Sequence, residues 1–149
     1  MDDPYNLQRF VAAQDSDGTY AQALEELRRG RETSHWMWFV FPQIAGLGSS
    51  SLSRRYAISS LAEAQAYLRH PVLGPRLVES ARVVAESRTP SAEQLLGGID
   101  AQKLRSSMTL FSHADRGQDV FQAVLDRYYQ GAPDTATEAR LGPTQESST

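Results

Sequence analysis

One run in this chain reads as a β-strand by composition, SHWMWFVFPQ at residues 34–43, and no second run has the character to pair with it. A lone buried strand leaves backbone donors and acceptors without partners, whereas even a short helix satisfies most of its own. The segment is therefore expected to be a short helix capped by Ser34, with Trp36 and Val40 on one face, His35, Trp38 and Phe39 on the other, and Pro42 turning the chain out. The whole chain is then expected to be all-α.

Apolar stripes at helical spacing run along the rest of the sequence. Asp3 and Pro4 precede Leu7, Phe10 and Val11, and DSDG at 15–18 closes that helix. Tyr20, Leu24 and Leu27 mark a second, ended by Gly30. IAGLGSSS, residues 44–51, reads as loop. Ser60 and Glu63 form a capping box before LAEAQAYLRH, which must yield near Pro71; His70 has the look of a helix-end residue. Leu73, Leu77, Ala81 and Val84 share a face, with Gly74 and Pro75 delaying the regular helix to about Arg76. TPSAEQLLGG adds a brief turn. Asp100 is a candidate cap for a helix carrying Leu104, Met108 and Phe111, and Val120, Phe121, Val124, Leu125 and Tyr128 face inward from the next, ended by Gly131. These stripes predict a compact, single-domain orthogonal fold of about six to seven helices over residues 5–131, with no significant sheet. Residues 132–149, rich in Pro, Thr, Ser, Glu and Gly, are expected to be a flexible tail.

Composition narrows function mainly by exclusion. With 40 % hydrophobic residues, 149 residues suffice for one core. Fifteen basic against 18 acidic residues, a net charge of −3, give no general attraction to nucleic acid or an anionic membrane. Nucleic-acid binding would require Arg28, Arg29, Arg31, Arg54 and Arg55 to converge on one face. The absence of cysteine excludes thiolate catalysis and Cys-ligated zinc or iron–sulfur sites. His35, His70 and His113 share no short spacing, so no metal is expected, and nothing points to a cofactor. Neither a signal-like N-terminus nor an apolar run long enough to span a bilayer is present, and a cytoplasmic protein is expected.

The segments GRETSHWMWFVFPQIAGLGSS, YAISSLAEAQAYLRHPVLGPRL and KLRSSMTLF together resemble a bacterial family known as domain of unknown function 1810, often labelled calpastatin-like; the resemblance runs from about Asn6 to about Tyr129. It implies a compact all-α fold and carries no established reaction or catalytic residue. The calpastatin label does not suit these residues, because an inhibitor of that kind is long, repetitive, charged and disordered before it binds.

Two stretches hold most of the chemistry-bearing side chains. In the first, His35 is a candidate proton donor or acceptor near neutral pH, and Trp36 and Trp38 are candidate stacking surfaces, against the plainer alternative that all three serve the core. In the second, KLRSSMTLF, Lys103 stands one turn before Ser107, a spacing that suits anion binding or Ser–Lys chemistry. Ser106, Ser107 and Thr109 can equally back-bond to carbonyls one turn earlier. Gln43 and Arg54, flanking the glycine loop, add polar groups to the same opening. The candidate site is thus His35, Lys103 and Ser107 as catalytic groups, with Trp36, Trp38, Gln43, Arg54, Ser106 and Thr109 binding a small anionic or nucleotide-like ligand. The alternative is a non-enzymatic interaction or self-association module that displays its aromatics. Whether the protein is an enzyme stays open at this stage.

Overall fold

A computed structural model describes residues 3–142 of the chain. Among these residues the regular structure is helical throughout: α1 (Gln8–Asp15), α2 (Thr19–Arg29), α3 (Met37–Val40), α4 (Ser51–Arg55), α5 (Leu61–Arg69), α6 (Leu73–Ala85), α7 (Ala92–Leu96), α8 (Gly98–Ala114), α9 (Val120–Tyr129) and α10 (Thr135–Leu141). Six of these run eight residues or longer; α3, α4, α7 and α10 are the short segments that bring the total above six to seven. The only strand-like pairing among the described residues is a single parallel bridge between Ile44 and Ile58. No helix among them is long and apolar enough to cross a membrane.

α8 is the axis of the fold. Its residues Ala101, Leu104, Ser106, Ser107, Met108, Thr109, Leu110 and Phe111 are all buried, so it is covered on every side rather than along one stripe. It packs on α5, α7, α9 and α10, while α6 packs on α2, α5 and α9. One hydrophobic cluster joins these layers, running from Leu7 and Phe10 through Trp36, Phe41, Tyr67 and Phe111 to Phe121 and Leu125.

Several helix ends differ from expectation, each for a local reason. Asp3 does act at the first helix, but its carboxylate accepts from the N–H groups of Leu7 and Gln8, which delays α1 to Gln8. α6 starts at Leu73, not Arg76. His70 Nδ1 accepts from the N–H groups of Val72 and Leu73, and Pro75 sits in the first turn, where its missing N–H costs nothing. Gly74 is needed there because a Cβ would lie 2.1 Å from the Leu68 carbonyl oxygen. Asp100 is not a cap: α8 begins at Gly98, placing Asp100 inside its first turn. Ser60 accepts from Glu63 N–H, but the Glu63 carboxylate turns to the Ser59 N–H and hydroxyl and to Arg9, so only half of the capping box forms. The expected tail from residue 132 is corrected too. Asp134 caps α10, and Asp134 and Thr137 are both buried; residues 143–149 of that tail lie outside the described residues.

The aromatic segment is held from below by Glu26 of α2, whose side chain is 0 % exposed. Its Oε1 accepts from Thr33 N–H (2.8 Å), Ser34 N–H (3.0 Å) and the Trp36 indole N–H (2.8 Å). Its Oε2 accepts from the Ser34 hydroxyl (2.6 Å) and the Gln22 amide (2.7 Å). Ser34 is thus bound to Glu26 instead of capping α3, a single turn entered through Trp36. Burial opposes ionisation of Glu26, but the hydrogen bonds from Ser34, Gln22, Thr33 and Trp36 outweigh it and hold the carboxyl well below the usual carboxylate range.

A group whose native state favours the ionised form contributes in full above its unfolded value, and that contribution is lost as the pH falls through the lower native value. Glu26→Ala is therefore expected to destabilise the protein by about 3 kcal/mol in denaturant unfolding at neutral pH, by stranding buried donors, and to weaken its sensitivity to acid. An unchanged unfolding midpoint would remove Glu26 from this role.

Candidate functional site

The two chemistry-rich stretches meet, but through only part of the expected set. α8 has two polar faces. One faces α10: the Ser106 hydroxyl donates to Asp134 (2.9 Å), the Gln102 amide donates to Asp134 (3.0 Å), Thr109 accepts from Asp134 N–H (2.8 Å), and His113 bonds Glu138 (3.1 Å). Ser106 and Thr109 also back-bond to the carbonyls of Gln102 and Arg105, one turn earlier. These two residues, expected at a ligand site, instead fasten the C-terminal helix.

The other face carries Asp100, Lys103 and Ser107. The Lys103 ammonium lies 4.7 Å from the centroid of the Trp38 ring and 3.6 Å from Asp100 Oδ1, with 21 % of its side chain exposed. It opens into a cavity of about 10 Å³ walled by Trp38, Phe41, Gln43, Ser53 and Tyr56, among others. That volume is near the minimum that holds one water molecule. Lys103 is the sole charged side chain lining it.

Three buried side-chain polar atoms among the described residues have no hydrogen-bond partner: Glu32 Oε2, Trp38 Nε1 and Ser107 Oγ. Of these, Trp38 lies under the Lys103 ammonium and lines the cavity, Ser107 stands one turn further along α8, and Glu32 sits beside Asp100, the ion-pair partner of Lys103. Burial raises Glu32 most, the hydrogen bond to Asp100 and the charges of Asp100 and Glu26 add to this, and Lys103 only partly offsets them; the carboxyl is pushed up to about 9 and keeps its proton at neutral pH.

Other expected members stay apart. Trp36 is 1 % exposed, with its indole bound to Glu26 and its ring against Phe41, so it offers no stacking face. His35 is exposed and outside the cavity lining. Arg54 is exposed and donates to the Ser49 carbonyl, closing its own loop. Lys103, Trp38 and Gln43 reach the cavity, with Ser107 buried alongside Lys103. Sequence reasoning passed over Glu32, and passed over Asp100 as the partner of Lys103. A Glu in GRETSHW and an Asp in GGID carry no periodic or motif signal, so only their approach in space reveals them.

The family model described as protein of unknown function (DUF1810) matches residues 4–141. The chain belongs to that family. Among solved structures it is similar to the conserved hypothetical protein Rv1873 from Mycobacterium tuberculosis, at 52 % identity and a TM-score of 0.91, over 95 % of this chain and 99 % of that one. A search of curated proteins finds no match. Membership in DUF1810 thus accounts for the fold and leaves the chemistry to be read from the residues.

A raised carboxyl makes a pH prediction. The stability tied to the Glu32 proton is complete below its unfolded value of about 4.5, declines as the pH climbs above it, and is gone once the pH passes about 9. Glu32→Gln, which keeps the neutral shape, is expected to unfold with a flatter melting-temperature profile between about pH 5 and 9 than the parent, its advantage growing towards high pH. Parallel profiles would show that Glu32 is ionised in the folded protein.

Proposed function

We propose that this protein binds a small organic anion, a carboxylate above all, in the cleft between the Phe41–Ser53 segment and α8, with Lys103 as the anion's partner. The observation that carries this reading is the cavity in which the Lys103 ammonium lies over Trp38, whose buried indole N–H has no partner. A buried donor left unmade costs about 1–3 kcal/mol, which close packing alone does not require. Lys103 is the one charged side chain in the lining, and an anion there would share its ammonium with Asp100, 3.6 Å away. Met37, Phe41, Pro42 and Ile44 supply an apolar wall for a short carbon skeleton. Size disfavours a nucleotide, since a cavity of about 10 Å³ admits one small group without rearrangement. Ser107, 0 % exposed, is closed to an attacking role, so the geometry supports binding rather than Ser–Lys acyl transfer.

The interaction-module reading has less behind it. The exposed large hydrophobic residues among those described are Leu52 and Ile99, on α4 and α8, and they are single side chains, not an apolar face.

Acetate, propionate, inorganic phosphate and AMP titrated in a thermal-shift assay discriminate the possibilities. Propionate at about ten times its dissociation constant is expected to raise the melting temperature by about 3 °C, with AMP inert, and Lys103→Met, which keeps the stem and loses the charge, is expected to abolish the shift. A propionate shift that survives in Lys103→Met, or no shift with any of the four, would overturn the proposal.

A further inference from the structure

The cavity beside Lys103 is small because the segment from Gly46 to Ser53 closes over it, with Gly48 and Ser53 in its wall. Two sets of contacts fix this segment at its ends. The Ile44–Ile58 bridge holds one end through Ala45 N–H to the Ile58 carbonyl (2.8 Å) and Ile58 N–H to the Gln43 carbonyl (2.8 Å). α4 holds the other, where Ser50 accepts from Ser53 N–H (3.1 Å) and Arg54 donates to the Ser49 carbonyl (2.6 Å).

Between these anchors one contact comes from far away in the chain. Arg140 of α10 donates from Nη2 to the Gly46 carbonyl at 3.1 Å. The guanidinium lies flat enough on Gly46 that a Cβ there would meet it at 2.5–2.9 Å, and Gly46 has φ +99°, a conformation open chiefly to glycine. α10 itself rests on α8 largely through polar groups: Asp134 with Gln102, Ser106 and Thr109, and Glu138 with His113. The Asp134 contacts are buried and hold the start of α10 in place, whereas the Arg140 contact at its far end is exposed and open to water.

We infer that α10 is a strap which, through Arg140 on the Gly46 carbonyl, holds the Gly46–Ser50 loop shut over the Lys103 cavity, and that its release is the step that enlarges the cavity to ligand size. The gating role rests on the ligand reading above; the strap itself is a mechanical claim that holds or fails without any ligand. It also reconciles a cavity of single-water size with a site for an organic acid: the closed form is the resting state, and opening leaves α8 and its core untouched.

Hydrogen exchange measured by mass spectrometry on the full chain tests this directly, comparing the parent with Arg140→Ala and Arg140→Met. Arg140 is exposed, so folding is not at stake in its removal; Arg140→Met keeps the stem and loses the donor, and neither change touches the loop's own backbone. In both variants amides 46–50 are expected to exchange about threefold to tenfold faster, those of α8 at the parental rate, and propionate to associate correspondingly faster. Unchanged exchange in the loop overturns the strap. Faster exchange in a protein to which propionate does not bind, variant or parent, upholds the strap and overturns the ligand reading instead.

Discussion

The Glu26 carboxylate takes five hydrogen bonds inside the protein, and the path of residues 33–41 depends on it. Without that acceptor the buried Trp36 indole N–H would have nothing to bond, at about 1–3 kcal/mol, and the part-buried donors of Thr33 and Ser34 would lose their common anchor. With it, a segment that has almost no secondary structure of its own is held in one position. Trp36 is pinned in the core by its indole, and Trp38, two residues on, is carried under Lys103 of α8. The cleft therefore owes its placement to a charge in α2 that never touches it.

The same device recurs. Glu63, in the first turn of α5, gathers the Ser59 N–H and hydroxyl together with Arg9, whose guanidinium also reaches the carbonyls of Tyr5, Asn6, Arg55 and Ala57. Asp134 does the equivalent for α10, accepting from Ser106, Gln102 and Thr137. In each case a buried carboxylate organises an irregular stretch that lacks enough apolar surface to fix itself. Hydrogen bonds to a charged acceptor are about twice as strong as neutral ones, which is why three acids suffice where the chain has no cysteine and the described residues form no sheet. Against this pattern Glu32 stands out: it is a half-buried acid beside Asp100 whose surroundings favour its protonated form.

The helices were legible because each carries its own signal. The stripe Leu73, Leu77, Ala81, Val84 and the Ser60 cap need no tertiary information, and all appear in the fold. The short pieces were less so. Apolar periodicity does not register one turn at Met37–Val40, which was legible only by eliminating an unpaired strand, and the composition of residues 135–141 reads as tail until Asp134 finds Ser106 across 28 residues. The site was half legible. Lys103, Trp38 and Gln43 do meet, because aromatic and polar density marked both stretches, yet Trp36, Ser106 and Thr109 turn to structural acids that no local pattern pairs with them. Spacing along a helix says which residues share a face; it does not say what that face meets.

Trp38 and Trp36 provide a matched pair of reporters for the central claim, that the cleft where Lys103 meets Trp38 forms a binding site. Their indole N–H resonances, followed by proton–nitrogen NMR during a titration with propionate, sense the two environments separately. The account predicts a saturable shift of the Trp38 indole, whose N–H is unpartnered, with the Trp36 indole, already bound to Glu26, standing still. If both resonances stay fixed to saturating propionate, or both drift together without saturation, the cleft at Lys103 is packing and not a site.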